Sequence, residues 1–250
     1  MTTALIDGDL ICYAAAYTAD NPEIKNPVGF VRKKTERKLE QIVEEVGCDE
    51  YRVFLSGGNN FRKVINPEYK AQRPPKPLYL EDARKVLIKK HEAEVSDGYE
   101  ADDALGMAQT DDTVICSIDK DLLMIAGQHY SWDIVRKSKI VRPAFFKTVE
   151  YFEGIKHFYK QMLIGDTADN LFGLRGVGPK KANTLLDGVT DEDLLRTIVL
   201  NMYIDEAVGG VQDLPDEEKA ATARFYMNAD CFWIWREMGV TYTVREDLEG

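Results

Sequence analysis

Eight acidic residues form four short clusters, and each cluster lies where a predicted strand or turn passes into a predicted helix. The clusters are Asp7; Glu100, Asp102 and Asp103; Asp119 and Asp121; and Asp166 and Asp169. Carboxylates gathered in one place repel one another, and burying them together is costly unless a cation neutralises them. A fold in which the clusters meet would therefore hold hard divalent cations such as Mg²⁺ or Mn²⁺, which prefer oxygen ligands.

Each cluster taken alone has a simpler explanation. An Asp at a helix N-cap is common, and acids in a first helical turn are stabilised by the helix dipole. The prediction of a metal site therefore depends on four such clusters occurring in one chain.

Strands alternate with helices over the first 150 residues. The spacing predicts strands over residues 4–7, 51–55 and 113–117, with a helix over residues 10–17. This alternation predicts an α/β fold with a mostly parallel central sheet flanked by helices. After about residue 150 the pattern is helical, so we predict an α/β metal-binding core over residues 1–150 and a helical region over residues 151–250. Sites in such sheets lie beyond the carboxyl ends of the strands, which is where Asp7 and Asp119 fall.

The composition and the cysteine pattern indicate where in the cell the protein is expected. No apolar run in the 250 residues approaches the length of a membrane span, and the N-terminus lacks the basic segment of a signal peptide. The four cysteines are scattered without a CxxC pair, which is typical of buried thiols in a reducing compartment. The sequence therefore predicts a cytoplasmic protein that does not enter a membrane.

The charge distribution is uneven. The net charge of −11 is unfavourable for binding nucleic acid, but residues 61–90 contain nine Lys or Arg and only three Asp or Glu. A local basic surface can bind an anionic partner whatever the total charge is. The alternative is an ordinary solvated helix face, which is what most charge runs are.

A glycine-rich segment, GLRGVGPKKA at residues 173–182, is the second strong pattern. Glycine permits positive φ in a tight turn, and Pro179 suits the first turn of a helix. Backbone amides beside a helix N-terminus bind phosphate, and such contacts grip a nucleic-acid backbone without reading its bases. The alternative is a glycine pattern that only packs two helices together. The candidate DNA-binding residues here are Arg175, Gly176, Gly178, Lys180 and Lys181.

Five segments in this order, LIDGD, NPEYKAQR, GYEADD, SIDKDLLMI and GDTADNLFGLRGVGPKKA, resemble the 5′ nuclease superfamily. The superfamily includes flap endonucleases, the 5′-nuclease domains of bacterial DNA polymerases and phage 5′–3′ exonucleases. The resemblance covers about residues 4–187, and the segment FRKVINPEYKAQR is most similar to the compact phage exonucleases. It implies a PIN-like nuclease core and a helix–two-turn–helix module at about residues 160–187.

The resemblance also implies site residues and cofactors. Lys70 and Arg73 match the basic pair that contacts the scissile phosphate, and Tyr69 would stack on a nucleobase unless it is a core aromatic. The glycine turn of the family commonly holds K⁺ through backbone carbonyls, which residues 173–178 could do here. Two Mg²⁺ or Mn²⁺ ions are implied. The acids that resemble the first metal group are Asp7, Glu100, Asp102 and Asp103, those that resemble the second are Asp121, Asp166 and Asp169, and Asp119 lies between the two groups.

The chain departs from the family pattern in two places. Many relatives carry a further Asp after the second strand, where this chain has Ser56-Gly57-Gly58, so Gly57 replaces a metal ligand. Only residues 74–99 separate Arg73 from Glu100, which is short for the arch that threads a 5′ strand. A basic helix predicted over residues 78–94 could form one side of such a gate.

These patterns predict a divalent-metal-dependent 5′–3′ exonuclease and flap endonuclease that hydrolyses DNA in phage replication or DNA degradation. The partner would be duplex DNA with a 5′ end or flap, or an RNA–DNA hybrid, bound by a monomer in the host cytoplasm. One alternative is a catalytically weakened protein that only binds branched DNA, as the missing acid at Gly57 suggests. The other is a small ribonuclease of the related acidic type, although such chains are usually shorter and lack the glycine turn.

Overall fold

The computed structural model describes residues 2–136, 139–209 and 215–249. The chain forms two compact units: the first contains residues 1–60 and 74–149, and the second contains residues 61–73 and 150–250. This division differs from the predicted one in residues 61–73, which pack with the helical unit, and in a boundary that lies one residue earlier, before Glu150. No local sequence pattern reports such long-range packing of a short segment.

The described elements follow one another in a βα order at first and are mainly helical later. The strands are β1 Thr3–Asp7, β2 Glu50–Leu55, β3 Glu94–Val95, β4 Thr113–Cys116, β5 Gly127–Ser131, β6 Ile134–Arg136, β7 Lys139–Arg142, β8 Phe145–Val149, β9 Gly165–Asp166 and β10 Leu171–Phe172. The helices are α1 Gly8–Ala19, α2 Pro27–Val46, α3 Arg62–Ile65, α4 Leu80–His91, α5 Ala101–Ala108, α6 Tyr151–Ile164, α7 Pro179–Leu185, α8 Glu192–Val208, α9 Pro215–Phe232 and α10 Tyr242–Glu249, with a 3₁₀ turn at Asp121–Met124.

The first unit is built on a six-stranded sheet in the order β3-β2-β1-β4-β5-β8. All neighbouring pairs are parallel except β5 and β8, which are antiparallel. The central strands β1 and β4 are buried on both faces, which explains their continuous apolar sequences. The predicted α/β fold with a mostly parallel sheet flanked by helices is confirmed.

Asp7 marks the passage from β1 to α1. It ends the central strand, and its Oδ1 accepts a hydrogen bond of 3.2 Å from the Leu10 amide, so that it caps the helix. The apolar side of α1, with Ile11 and Ala15, packs into the core between the sheet and the helices α2 and α4. The acid is therefore fixed at the carboxyl edge of the sheet by the hydrophobic burial on both sides of it.

The second unit is helical apart from the short hairpin β9–β10. Its core is aromatic: Phe158 packs edge-on against Trp233 with ring centroids 5.1 Å apart and stacks on Tyr242 at 5.3 Å. The hairpin and the glycine turn connect α6 to α7. Among the described helices of both units, none is long and apolar enough to cross a membrane.

Candidate active site

Asp7 and Asp119 meet at the carboxyl edge of the sheet, as their positions after adjacent strands predict. Ser117 joins them, because its hydroxyl donates to Asp7 Oδ2 at 2.8 Å and accepts from the Asp119 amide at 3.0 Å. The strands β1 and β4 are parallel neighbours, with Ile6 opposite Cys116, so the residues that follow them emerge side by side. Ser117 was not among the sequence candidates, although it lies between β4 and Asp119.

The environment of Asp7 opposes its negative charge. The residue is only 3% exposed. Burial raises the pKa of Asp7 to about 7, with the nearby charges of Asp9 and Asp119 adding to the rise and the donors Ser117 and Leu10 opposing it. A buried carboxylate beside two other acids is stabilised by a proton or by a cation. The donor set is made of hard oxygens, which suits Mg²⁺ or Mn²⁺.

Asp9 is a site residue that the sequence analysis missed. Its Oδ2 accepts from the Ser56 amide at 2.8 Å, and its Oδ1 accepts from Arg84 Nη1 at 2.8 Å. Arg84 Nη2 in turn donates to the Ser56 carbonyl at 2.9 Å. These three residues form a closed ring of hydrogen bonds at the end of β2. The sequence signal that could have identified it is the second Asp of LIDGD, which is the second residue of α1.

The acidic start of α5 is tied to this ring. The Ser56 hydroxyl accepts from the Ala101 amide at 2.9 Å, in the first turn of the helix. Asp103, fully buried, accepts from the Glu100 amide at 3.0 Å in a capping box. Since α5 packs against β1 and β2, the acids Glu100 and Asp103 are held in the same unit as Asp7. Asp102, on the first turn of the same helix, is half-buried.

Asp121 begins the 3₁₀ turn after β4. Its amide donates to Asp119 Oδ1 at 2.9 Å, and its own Oδ1 accepts from Lys120 Nζ at 2.7 Å. Within the described residues, no group of three or more His, Cys, Asp and Glu side chains is arranged to hold a metal ion. Instead, the oxygens of Asp7, Asp103 and Asp119 accept hydrogen bonds from nearby donors.

Gly57 has a steric reason to be a glycine. A Cβ built on it would lie 1.9 Å from the Ser96 carbonyl oxygen, far inside contact distance. Its amide also donates to Ser96 Oγ at 3.2 Å, which holds the backbone against β3. The position at which the family resemblance implies an acid therefore has no room for any side chain in this backbone.

Asp169, in the second unit, contacts both Lys70 and Arg73, the basic pair identified from the sequence. Its Oδ1 lies 2.5 Å from Arg73 Nη2 and its Oδ2 lies 3.7 Å from Lys70 Nζ. The Lys70 amide donates to the Asp169 carbonyl at 2.9 Å. The acid and the two cations therefore form one cluster, although about a hundred residues separate them in the chain.

The backbone of this cluster is strained at two facing positions. Lys70 and Asn170 both have a φ of +58°, a left-handed conformation that is uncommon for residues with a side chain. Asn170 compensates with side-chain hydrogen bonds to Gln72 at 3.1 Å and to the Glu68 carbonyl at 3.0 Å. These contacts fix the segment that carries the basic pair against the loop that carries Asp169.

Tyr69 lies differently from the sequence expectation. The residue is only 2% exposed, and its hydroxyl donates to Asp169 Oδ2 at 3.0 Å. A nucleobase cannot stack on a ring that other side chains already cover, so the arrangement corrects the predicted stacking role. Tyr69 is a buried aromatic that orients the carboxylate of Asp169. Asp166, the other acid of this pair, accepts from the Ala168 amide at 2.8 Å within its own turn.

The glycine turn has the geometry expected of it. Gly176 has a φ of +71°, and Gly178 caps α7 with Pro179 as the first helical residue. Gly173 approaches the backbone so closely that a Cβ would lie 2.4 Å from the Leu163 carbonyl oxygen. The polar side chains of the turn are on the surface: Arg175, Lys180 and Lys181 are all exposed.

Residues 2–150 match the family described as the 5′–3′ exonuclease, N-terminal resolvase-like domain. The DNA polymerase I of Caldicellulosiruptor bescii is 29% identical over 216 residues, which is 75% of this chain and 24% of the polymerase. The 5′–3′ exonuclease of Mycoplasma pneumoniae is 33% identical over 156 residues, which is 53% of this chain and 51% of that protein. The chain thus spans about a quarter of the polymerase and about half of the exonuclease.

The fold is similar to that of solved structures of the T5 D15 protein. The form co-crystallised with metal ions has a TM-score of 0.60 and 15% identity, covering 91% of this chain and 88% of that one. The T5 D15 flap endonuclease in a complex with DNA and metal ions has a TM-score of 0.55 and 15% identity, covering 90% and 99%. At this level of identity the likeness establishes the shared fold.

Proposed function

We propose, from the premise that the chain belongs to the 5′–3′ exonuclease family, that it is a divalent-metal-dependent 5′–3′ exonuclease and flap endonuclease acting on DNA. The observation that supports it most is the buried Asp7 beside Asp9 and Asp119, a set of charges that calls for a cation. The cluster of Lys70, Arg73 and Asp169 adds the cations that a phosphodiester substrate needs.

The acids of each unit have the donor chemistry for divalent ions. In the first unit these are Asp7, Glu100, Asp102, Asp103, Asp119 and Asp121, and in the second they are Asp166 and Asp169. When bound, two divalent ions activate water and stabilise the leaving oxygen in phosphodiester hydrolysis. The acids position the ions, and their hydrogen bonds to Ser117, Leu10 and Tyr69 keep the carboxylates oriented.

Lys70 and Arg73 act on the substrate. Both side chains would donate to a phosphate oxygen and offset the charge that develops on it during hydrolysis. The hydrogen bond from the Lys70 amide to the Asp169 carbonyl holds the backbone at its strained φ, which favours a defined position for the ammonium group.

The glycine turn would bind the DNA backbone without reading the base sequence. Exposed Arg175, Lys180 and Lys181 and the backbone of Gly176 and Gly178 suit a phosphodiester backbone. The partner is then duplex DNA with a 5′ end or flap, with RNA–DNA hybrids also accepted because backbone contacts discriminate weakly between sugars. A monomer working in a phage-infected host cytoplasm, in DNA replication or degradation, is the setting we propose.

The test is cleavage of duplex and flap DNA labelled at either end, with Mg²⁺ or Mn²⁺ and with or without EDTA. We expect chelator-sensitive products released from the 5′ end, and we expect Asp119→Ala to abolish them while duplex binding survives. Undiminished turnover by purified Asp119→Ala protein would remove this acid from the chemistry.

A second function has one observation in its favour. The closed backbone at Gly57 excludes the acid that the family resemblance implies there, which suits a protein that binds branched DNA without cutting it. The same assay separates the two proposals. Tight binding of flap DNA with no product in either metal would establish the binding protein.

A further inference from the structure

The helices α8 and α9, which follow the glycine turn, contact its backbone through Glu206 and Arg224. Arg224, on α9, donates from Nη2 to the carbonyl oxygens of Gly173 at 2.5 Å and Phe172 at 3.2 Å. Its Nη1 pairs with Glu206 Oε2, on α8, at 2.7 Å. The guanidinium carbon lies 5.0 Å from the centroid of the Tyr203 ring, which packs against it. The arginine is thus held on three sides while it contacts the turn.

Glu206 links Arg224 to a second point of the turn backbone. Its second oxygen accepts from the backbone amide of Arg175, one of the candidate DNA-binding residues. Burial alone would raise the pKa of Glu206, but the Arg175 amide and the Arg224 guanidinium hold it below its usual range. Asn228 adds a hydrogen bond of 3.0 Å to the Phe172 carbonyl and one of 3.0 Å to the Tyr203 hydroxyl.

This arrangement leaves a poor site for K⁺, which the family resemblance implies at residues 173–178. A K⁺ ion needs several backbone carbonyl oxygens to replace its hydration shell. The Gly173 carbonyl already accepts from Arg224, the Leu174 carbonyl from the Val177 amide at 3.2 Å, and the Gly178 carbonyl from the Ala182 amide at 3.0 Å. A fixed guanidinium charge in contact with the Gly173 and Phe172 carbonyl oxygens also repels a second cation. Three of the six carbonyl oxygens of residues 173–178 are thus already hydrogen-bonded, and a cation lies beside the first of them, so the turn is a poor fit for K⁺.

We propose that Arg224 is the built-in cation of the glycine turn. With Glu206 as its counter-ion, it holds the turn in the conformation that binds the DNA backbone, so that binding by this chain does not depend on K⁺. This inference rests on the proposed DNA-binding function. Arg224 acts as a positioning residue, since it contacts the turn backbone and leaves Arg175, Lys180 and Lys181 to contact phosphate.

The chain offers a matched control in Arg196. Its side chain is 35% exposed, as is that of Arg224, and it pairs with Glu246 at 3.1 Å in the same helical unit. Its partners lie on α10 and α9 and not on the glycine turn. Arg196→Met therefore removes a comparable ion pair without touching the turn.

The experiment measures the affinity for a duplex by fluorescence anisotropy in EDTA, in KCl and in NaCl of equal ionic strength. We expect the wild type to bind equally in both salts. We expect Arg224→Met to weaken binding roughly tenfold in NaCl, or about 1.4 kcal/mol, and Arg224→Lys to recover part of that loss, while Arg196→Met stays close to the wild type. Wild-type binding that is several-fold tighter in KCl would overturn the inference, as would an Arg224→Met affinity equal to that of Arg196→Met.

Thermal unfolding in the same two salts gives a readout that needs neither DNA binding nor a folded variant. We expect the wild-type Tm to be the same in KCl and NaCl, and a Tm raised by K⁺ specifically would show an ion site and sink the inference. A wild type that binds no DNA in either salt would refute the proposed function instead. The two failures are therefore distinguishable.

Discussion

Arg84 donates a hydrogen bond of 2.8 Å to Asp9, although 75 residues separate them in the chain. The pair is only partly exposed, at 14% for the Arg84 side chain and 18% for Asp9, and the same guanidinium holds the Ser56 carbonyl. Asp9 lies close enough to Asp7 to raise the pKa of that residue. Arg84 therefore offsets part of the negative charge at the carboxyl edge of the sheet and links it to α4.

Replacing this arginine should destabilise the protein. Arg84→Met removes the donor to Asp9 Oδ1 and to the Ser56 carbonyl and leaves Asp9 with only the Ser56 amide, so we expect the free energy of unfolding to fall by about 1–3 kcal/mol in urea titrations. The control is Arg32→Met, which breaks an exposed ion pair with Asp82 and should change stability by about 0–1 kcal/mol. Equal effects of the two substitutions would mean that the ring at Ser56 contributes nothing special.

Asp7 should make the metal-free protein less stable as the pH rises. Its pKa is raised from 3.8 to about 7 by burial and by the neighbouring acids, so the folded state keeps a proton that the unfolded state releases. This contribution is fully present below pH 3.8 and is lost as the pH rises through about 7. In EDTA, we expect Asp7→Asn to lack the Asp7 contribution to the loss of stability between pH 3.8 and about 7. At pH 8 we expect this variant to be more stable than the wild type.

Divalent ions should reverse that penalty in the wild type. Titration of Mg²⁺ or Mn²⁺ at pH 8 is expected to raise the Tm of the wild type but much less that of Asp7→Asn, because binding to the folded state stabilises it. A wild-type unfolding curve that ignores both pH and metal would contradict the placement of Asp7 at a cation site.

An acid introduced at residue 57 should destabilise the protein and add no metal ligand. Gly57→Asp places a Cβ where the Ser96 carbonyl oxygen already lies, at 1.9 Å, so the backbone between β2 and β3 must move. We expect a loss of several degrees in Tm and no gain in metal affinity. Gly57→Ala should show the same loss, whereas Gly58→Ala, with nothing within 4 Å of its Cβ, should not. Tighter Mn²⁺ binding by Gly57→Asp would show that the position accepts a ligand.

Tyr69 separates what sequence can predict from what it cannot. Asp7 and Asp119 were predictable because parallel strands end at one edge of a sheet, so acids that follow two such strands meet. The burial of Tyr69 was not, because one aromatic residue beside two cations has no periodicity to show which way it faces. The ring of Asp9, Ser56 and Arg84 was missed for a related reason: it depends on how α4 packs, which is decided by contacts remote in sequence.

The hydroxyl of Tyr69 gives a direct test of its role. Tyr69→Phe keeps the buried ring but removes the hydrogen bond to Asp169, so we expect unchanged DNA affinity and a single-turnover cleavage rate lowered roughly tenfold through a less well-oriented carboxylate. A stacking residue would behave otherwise, since phenylalanine stacks as well as tyrosine. An unaltered rate in Tyr69→Phe would show that the hydrogen bond to Asp169 takes no part in cleavage.

Lys70 should matter for the chemical step more than for binding. Its ammonium lies 3.7 Å from Asp169 and its backbone is fixed by the Asp169 carbonyl, so the charge is already in place before a phosphate arrives. Removing a preorganised group that stabilises transition-state charge lowers rates by roughly 10²–10³-fold, and we expect a loss of that order for Lys70→Met under single-turnover conditions. The equilibrium affinity for uncut DNA in EDTA should change only a few-fold, because one phosphate contact among several is lost. Lys63→Met, an exposed lysine on α3 in the same segment, is the matched control and should cleave at the wild-type rate. If both variants lose binding equally and keep the same rate once saturated, Lys70 attracts DNA and takes no part in catalysis.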